Sequence, residues 1–548
     1  MVPIHNTIPR SLYFTYPQYD RATAPELDGR RIKHKVAIVG AGPVGLAIAL
    51  SLASAGVAST VLEAENTIGI GSRAGSLSRQ SVEFLASLGI GTALMETGLT
   101  YADGWTYYRN REVFRLSIPG SPKDQFPPML KIQQCFVESF LCEKAIENPL
   151  IDIRWGSSLE NLVPGTDKVT ASVRSEAGMY EIEAEYLVGA DGAHSTVRRS
   201  LGLTLDGKTY DATFIIADVK LGVDFPPGRR MWFDPPWNPG GTVIMHLQPH
   251  NIWRFDYSLP AGSSIESETE RVGERLNSHL DWLGWNTTWE LDWTTEYKAH
   301  LRIVENMRSG RILLAGDAAH LMPIFGVRGL NGGLSDAANL SWKLARVIRG
   351  TSKDHLLDTY DEEQRLVFNG NAANADLSTQ FISPSSSMAR LLRDAVLRLS
   401  EENTTFRPLI DPRQSQPVPL YSSSLISAAT IRSYHHGIQA GLLIPNLLLD
   451  ESGERIYLND LLGKGFTLLR LANNDKFQIN TSNRNIDNED ILKLDILAPV
   501  ERLMDIARLW NVNILIRPDR YVSAIWPDGN ATTLEMELRT ATGSIQNA

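Results

Sequence analysis

The sequence predicts an α/β protein in which a βαβ unit is interleaved with a mixed sheet and followed by a separate C-terminal unit. Three observations predict it. The apolar run Val36-Ala37-Ile38-Val39 leads into Gly40-Ala41-Gly42-Pro43-Val44-Gly45, and then into a small-residue helical run from Leu46 to Ala55. Two later apolar runs, Tyr186 to Ala190 and Arg311 to Ala315, open into Asp191-Gly192 and Gly316-Asp317. Between them lie strand-like runs at Thr213 to Leu221, Thr242 to Leu247 and Trp253 to Leu259.

Composition bounds the rest. At about 150 residues per domain, 548 residues suggest three or four domain-sized units. The charge, 53 − 63 = −10, argues against nucleic acid as a partner, because phosphate backbones need a basic surface. Cys135 and Cys142 are the only cysteines, too few for a disulfide scaffold or a metal-ligand set. No apolar run reaches 18 residues and Met1 to Lys35 is polar, so neither a membrane span nor a secretion signal is expected. The expected location is cytoplasmic.

The glycine loop has a physical reading of its own. The first glycine, Gly40, permits a tight turn; the second, Gly42, lets backbone approach a pyrophosphate; the third, Gly45, lets helix and strand pack closely. Phosphates would lie on free N–H groups at the helix N-terminus, beside Pro43 and Val44. Ser59 to Leu62 reads as the second strand, and Glu63 ends it, with Ala64 next. A carboxylate there can accept hydrogen bonds from both ribose hydroxyls. To this point the dinucleotide could be NAD, NADP or FAD.

The two aspartate turns narrow the choice. Asp191 and Asp317 each stand where a buried strand opens into a turn, well placed to accept hydrogen bonds from a polyol. The glycines of 326–333 would let backbone lie flat against a ring. Helix N–H groups near Leu330 and Asn331 would face the edge of a flavin that becomes negative on reduction.

In this order the segments resemble the FAD-dependent aromatic hydroxylases of the p-hydroxybenzoate hydroxylase and phenol hydroxylase type. The family pattern joins GxGxxG, a DGxxSxxR block (here Asp191 to Arg198) and GDAAHxxPPxGGxGxNxGxxDAxNLxWKL (here Gly316 to Leu344), and the resemblance runs from about Lys35 to Phe368. It implies that FAD is held by Gly40, Gly42, Pro43, Val44, Gly45, Glu63, Ala64, Arg73, Gln134, Asp191, Gly192, Asp317, Pro323, Gly329, Leu330 and Asn331. In the family an arginine at the place of Arg73 lies near the cofactor phosphates, and a glutamine at the place of Gln134 reaches the flavin side chain. His320 is expected to be structural. Ile324 and Phe325-Gly326 depart from the family's second proline and glycine pair, and Arg328 from a small residue. This Phe-Gly-x-Arg-Gly variant resembles a hydroxyphenylpropionate hydroxylase-like sub-branch.

The expected division is an N-terminal arm over 1–34 and an FAD-binding domain over 35–210 and 301–370. Part of 100–130 contributes to a substrate-binding domain over 211–300. A helix and extended connector follow over 371–435. The last unit, 436–548, resembles the thioredoxin-like C-terminal domain of the longer phenol hydroxylases, but holds no cysteine, so disulfide chemistry is excluded. In the substrate region Trp282, Trp285, Trp289 and Trp293 fit a helical stripe and read as core. Trp232, His246, Gln248 and Arg254 are the pocket and catalytic candidates.

The resemblance implies a monooxygenase that consumes NADH or NADPH and O2 and hydroxylates a small phenolic or otherwise activated aromatic substrate through a C4a-hydroperoxyflavin. A homodimer is a further expectation. Two alternatives stay open. One is a same-fold flavoenzyme performing epoxidation, Baeyer–Villiger oxygenation or oxidative decarboxylation; the other is a non-enzymatic flavin-binding scaffold.

Overall fold

The structure is a computed structural model. It describes residues 10–544 except 22, 119, 223–224, 260–262, 411–416, 428–437, 451–452, 454, 474–477, 487–488, 499–511 and 528–530.

Strand Lys33–Val39 is apolar from Val36 onward because it lies inside a parallel sheet covered on both faces. It pairs in parallel with Ser59–Leu62 on one side and Gly178–Gly189 on the other. Ile151–Arg154 and Ile312–Leu314 extend the sheet outward. The register sets Val39 beside Leu62 and Gly189, and Gly189 beside Leu314. Four segments distant in sequence therefore leave the sheet at one edge: those beginning at Gly40, Glu63, Ala190 and Ala315. Such a C-terminal edge is where ligands bind in open α/β sheets.

Helix Pro43–Ser54 starts with proline, whose preset φ and missing N–H suit a first helical position. Its alanines keep it slim, and it is buried on nearly every side between helices Gln134–Ile146 and Gly329–Ile348. Each fully buried Leu or Ile there contributes about 1.5–3 kcal/mol.

The second sheet is mixed and eight-stranded. Its order is His320–Leu321, Trp289–Val304, Leu205–Leu221, Ile252–Ser258, Thr242–Gln248, Arg229–Phe233, Asp103–Tyr108 and Arg111–Ser117. Helix Val272–Trp282 covers its outer face through Val272, Leu276 and Leu280. The helical reading of the tryptophan stripe is corrected here. Trp282 ends that helix, but Trp289 and Trp293 lie in a strand. A spacing of four fits one face of a strand as well as one face of a helix, so spacing alone could not separate them.

Helices Asp358–Ile382 and Ser387–Glu402 follow. The C-terminal unit is a five-stranded sheet ordered Gln478–Ile486, Glu489–Ala498, Thr467–Asn473, Val512–Ile516 and Val522–Pro527. It is not an independent appendage: Trp342 of helix Gly329–Ile348 belongs to its core, with Phe466, Leu515 and Trp526. Residues 499–511 of this unit lie outside the described residues, and the thioredoxin-like likeness stays an expectation. Among the described residues no helix is long and apolar enough to cross a membrane.

Candidate active site

The strand edge builds one wall of the site. Gly40 has φ +105°, and a Cβ on it would lie 2.5 Å from the Ala190 carbonyl oxygen. A Cβ on Gly45 would overlap the Gly40 carbonyl oxygen. The protein's own packing requires these two glycines. Gly42 is different. Its φ of −70° and ψ of 177° suit any residue, and a Cβ there meets nothing within 4 Å. Nothing in the chain needs glycine at this position, whereas a phosphate lying against the loop does.

The carboxylate of Glu63 accepts the Ala41 N–H at 2.7 Å and the Glu65 N–H at 3.1 Å, which aims it across the glycine loop. Burial raises its pKa against the pull of those two N–H groups. Among the described residues the Asp317 side chain makes no hydrogen bond. Its side chain is accessible, yet crowded by protein that displaces water and raises its pKa, against the fields of His320 and Arg73. Arg73 sits at φ +42°, with its guanidinium beside Glu138 and in the field of Asp317. Glu63, Glu138, Arg73 and Asp317 thus form a run of groups within one another's electrostatic reach at the strand edge. Asp317→Asn should leave the melting temperature of the apoprotein unchanged while weakening FAD binding about tenfold or more, checked by fluorescence titration.

Helix Gly329–Ile348 enters the cleft with no side-chain cap. The N–H of Gly332, bonded to the Arg328 carbonyl at 2.8 Å, opens the helical ladder. The N–H groups of Gly329, Leu330 and Asn331 are therefore the unshared donors of a helix N-terminus. The helix is pinned twice near this end. Asn331 accepts the Ser78 N–H at 2.8 Å and donates to the Ser76 and Val327 carbonyls. Asp336 accepts the Gly316 N–H and pairs with His320, both at 2.8 Å. Burial works against a protonated His320, but Asp336 more than offsets it and the pKa is raised. The loop before the helix explains the sequence departures as one set. Phe325 packs on Phe214 of the mixed sheet at 5.2 Å, Arg328 folds back onto the Phe325 carbonyl, and its guanidinium leaves Gly326 no room for a Cβ.

Four sequence assignments change: Asp191, Gln134, Trp232 and, on the mixed sheet below, Arg254. Asp191 engages both oxygens inside the protein: it accepts the Ser195 hydroxyl at 2.5 Å and the N–H groups of Thr196 and Val197 at 2.6 and 3.1 Å. It caps its own short helix instead of offering an acceptor to a polyol, while Gly192 beside it stays open to the cleft side. Gln134 is held between the Ala74 N–H at 3.3 Å and Glu138 at 2.6 Å. Trp232 points away from the cleft. It stacks on Tyr107 at 5.4 Å and meets His279 edge-on at 4.8 Å, beneath the outer helix.

The opposite, inner face of the mixed sheet carries polar residues at alternate positions. Arg229, His246, Arg254 and Asp218 are direct cross-strand partners on four adjacent strands. Arg254 is committed within the protein, to Asp218 at 3.0 Å, to the Arg73 carbonyl at 2.7 Å, and to Ser72. It ties the sheet to the Arg73 loop and is not free to meet a substrate. His246 keeps Nδ1 without a partner, and burial, with Lys131 and two arginines nearby, pushes its pKa well down, so it is neutral. Both amide atoms of Gln248 are buried without partners, packed over Gly75. Sequence reasoning missed Arg229, Lys131, Asp218 and Asp256. The signal was the period-two alternation, Arg254-x-Asp256 and His246-x-Gln248, on otherwise apolar strands.

Each cofactor contact expected of the cleft has a donor or acceptor of matching kind: an open glycine, a carboxylate across the loop, the unshared carboxylate of Asp317 and three unshared N–H groups. This donor set fits FAD. A family model described as FAD binding domain matches residues 33–375.

The chain belongs to the FAD-binding domain family.

It is 30% identical over 449 residues to a 3-(3-hydroxy-phenyl)propionate/3-hydroxycinnamic acid hydroxylase of Mycolicibacterium smegmatis, covering 80% of this chain and 77% of that protein. A protein of the same name from Burkholderia vietnamiensis is 29% identical, over 77% of this chain and 68% of the relative. Among solved structures, the flavin-dependent monooxygenase PieE in complex with FAD and substrate aligns with a TM-score of 0.79 at 20% identity, over 94% of this chain and all of that one. The p-nitrophenol 4-monooxygenase PnpA of Pseudomonas putida aligns at 0.61 and 26% identity, over 70% of this chain and 98% of that one. The FAD-binding family membership covers both the strand edge and the helix N-terminus described above.

Proposed function

We propose that this FAD-dependent aromatic hydroxylase acts on a phenol that also carries a carboxylate, held between the cleft and the inner face of the mixed sheet. One observation carries the reading. Two cations reach this space, Arg229 on that face and Lys131 on the neighbouring strand Met129–Lys131, and neither forms an ion pair with a carboxylate among the described residues. Lys131 donates to the Ser76 hydroxyl at 2.8 Å and lies over the Tyr101 ring at 5.4 Å. Arg229 donates to the Met231 sulfur at 3.8 Å and has Asp256 in its field, but no carboxylate lies within ion-pair distance among the described residues. Unpaired buried cations are costly, and an anionic ligand removes that cost. The relatives named above support the same class, since hydroxyphenylpropionate and hydroxycinnamate each carry a phenol and a carboxylate.

FAD, when bound, supplies oxygen activation, with NADH or NADPH as reductant and O2 as cosubstrate. The chain's own residues do the rest. The Gly42 loop and Glu63 would hold the phosphates and ribose, and Asp317 the polyol. The N–H groups of Gly329, Leu330 and Asn331 would stabilise negative charge on the ring edge. Lys131 and Arg229 orient the substrate by its carboxylate. His246 cannot take a proton at neutral pH and serves as a neutral hydrogen-bond partner. Asp256 has an unpartnered Oδ1, and burial pushes its pKa up to about 6, which makes it the acceptor available for a phenolic proton.

The test is NAD(P)H oxidation, with product analysis, across phenols with and without a carboxylate. Phenolic acids should stimulate turnover and be hydroxylated. Stimulation by neutral phenols with none by phenolic acids would overturn the reading. Arg229→Met should raise KM for phenolic acids about 10–100-fold, the worth of a charge-assisted contact, and leave neutral phenols unchanged. Burial, helped by Arg229 and Arg254, pushes the pKa of Lys131 down to about 7. The protonated amine is the form that binds an anion. Hence kcat/KM for phenolic acids should fall as pH rises through about 7, and Lys131→Met should lose that limb.

A further inference from the structure

Helix Gly329–Ile348 offers its unshared N–H groups at one end, and its other half is gripped by the C-terminal unit. Asn339, Trp342 and Lys343 converge on Glu363 of helix Asp358–Ile382 and on Arg517 and Asp519, which lie between strands Val512–Ile516 and Val522–Pro527. Lys343 Nζ lies 2.7 Å from Glu363. Arg517 donates to the two oxygens of Glu363 at 2.6 and 2.8 Å, and to Asp519 at 3.0 and 2.5 Å. Asn339 donates to Glu363 at 2.7 Å and to Asp519 at 3.1 Å, and the Trp342 indole N–H donates to Asp519 at 3.0 Å. The four charged side chains are almost wholly buried, and two cations balance two carboxylates.

A neutral buried cluster of this kind is a poor stabiliser compared with apolar packing of equal volume. What it does well is fix geometry. The charged groups are almost wholly buried, so their direction is set by protein partners alone. Two of the helix's contacts, from Asn339 and Trp342, go to Asp519 of the C-terminal unit.

We propose that Arg517 and Asp519 are positioning residues. They set the helix along and about its axis, and thereby place the N–H groups of Gly329, Leu330 and Asn331 against the flavin. This rests on the reading of those N–H groups as facing the cofactor. It gives the cysteine-free C-terminal unit a task that needs no redox chemistry.

The experiment uses the full chain and three readouts: the dissociation constant for FAD, the reduction potential of bound flavin, and the melting temperature of the apoprotein. Trp342→Phe keeps the ring packing and removes the N–H to Asp519. Asp519→Asn keeps the shape and removes the charge. Phe466→Leu loosens the same core, where Phe466 meets Trp342 edge-on at 5.7 Å, without touching the cluster. Well below the melting temperature, Trp342→Phe and Asp519→Asn should each weaken FAD binding about tenfold and shift the flavin potential. Phe466→Leu should lower the melting temperature and change neither. If all three variants lower the melting temperature and leave affinity and potential alone, the cluster is structural only and the proposal fails. Leu330→Pro, which deletes one N–H behind a tolerant glycine, separates the two readings. If it too leaves FAD binding unchanged, the cofactor-facing reading has failed as well.

Discussion

Gly42→Val should yield a folded protein that purifies without flavin. The position has ordinary φ and ψ and nothing within 4 Å of a Cβ, so the apoprotein should melt within about 2 °C of wild type, as for a surface substitution. The branched side chain would stand where a phosphate must touch the loop, and FAD affinity should fall about 100-fold or more. Gly45→Val is the contrast. Its Cβ overlaps the Gly40 carbonyl oxygen, and Gly40 cannot yield because Ala190 closes it from the other side. This variant should lose about 3 kcal/mol or more of stability, whatever cofactor is present. Calorimetry of the apoproteins and flavin titration separate the two. A large drop in apoprotein stability for Gly42→Val would sink the claim that only a ligand requires glycine there.

Glu363→Ala should be the most destabilising single substitution in the chain. The carboxylate offsets two buried cations, Lys343 and Arg517, and accepts from Asn339 and the Ser423 hydroxyl. Without it, two cations face Asp519 alone in a space closed to solvent by protein. Removing one partner of a buried ionic cluster costs about 3–5 kcal/mol, a large part of the 5–15 kcal/mol that holds a typical domain together. Glu363→Gln keeps the shape and loses only the charge, so it should show most of the effect. Burial alone would raise the pKa of Glu363, but Arg517 and Lys343 reverse this and hold it well below the carboxylate range. Folding therefore favours the ionised form. Its contribution is complete above the unfolded pKa, near 4.3, and shrinks as pH falls below it. Denaturant melts from pH 7 down to pH 3 should show wild type losing stability that Glu363→Gln never had. Parallel acid curves for the two proteins would refute the assignment.

How far the sequence carries depends on the range of each interaction. Gly40, Gly42, Gly45 and Glu63 could be read because their tasks belong to one strand–turn–helix unit. The helix start near Leu330 was legible for a similar reason, from glycines and a following apolar run. Asp191 misled because its competitor was also local. The Ser195-Thr196-Val197 turn offers a hydroxyl and two N–H groups within six residues, and a short polar side chain takes such partners readily. Trp232 misled for another reason. Successive strand residues point to opposite faces, and which face meets the cleft is set by what packs there. Trp232 and Met231 are neighbours in sequence, but helix Val272–Trp282 covers the first and Phe325 shares a core with the second. Arg254 looked like a pocket residue until Asp218 and the Arg73 carbonyl were seen to occupy its guanidinium.

By itself, the sequence determined the α/β class, the dinucleotide loop, the FAD-type pattern of paired aspartate turns, and the absence of cysteine from the C-terminal unit. These are encoded in contiguous residues whose backbone demands are local. Only the tertiary structure decided that Arg229, His246, Arg254 and Asp218 form one cross-strand row, that Lys131 and Arg229 form no ion pair with a carboxylate among the described residues, and that Arg517 and Asp519 reach the cofactor helix. Those facts depend on register and on contacts between segments more than 150 residues apart, as with Glu363 and Arg517. The reason is physical. Burial of apolar surface drives elements together without naming partners, so the identity of a long-range polar partner becomes visible only when the layers are in place.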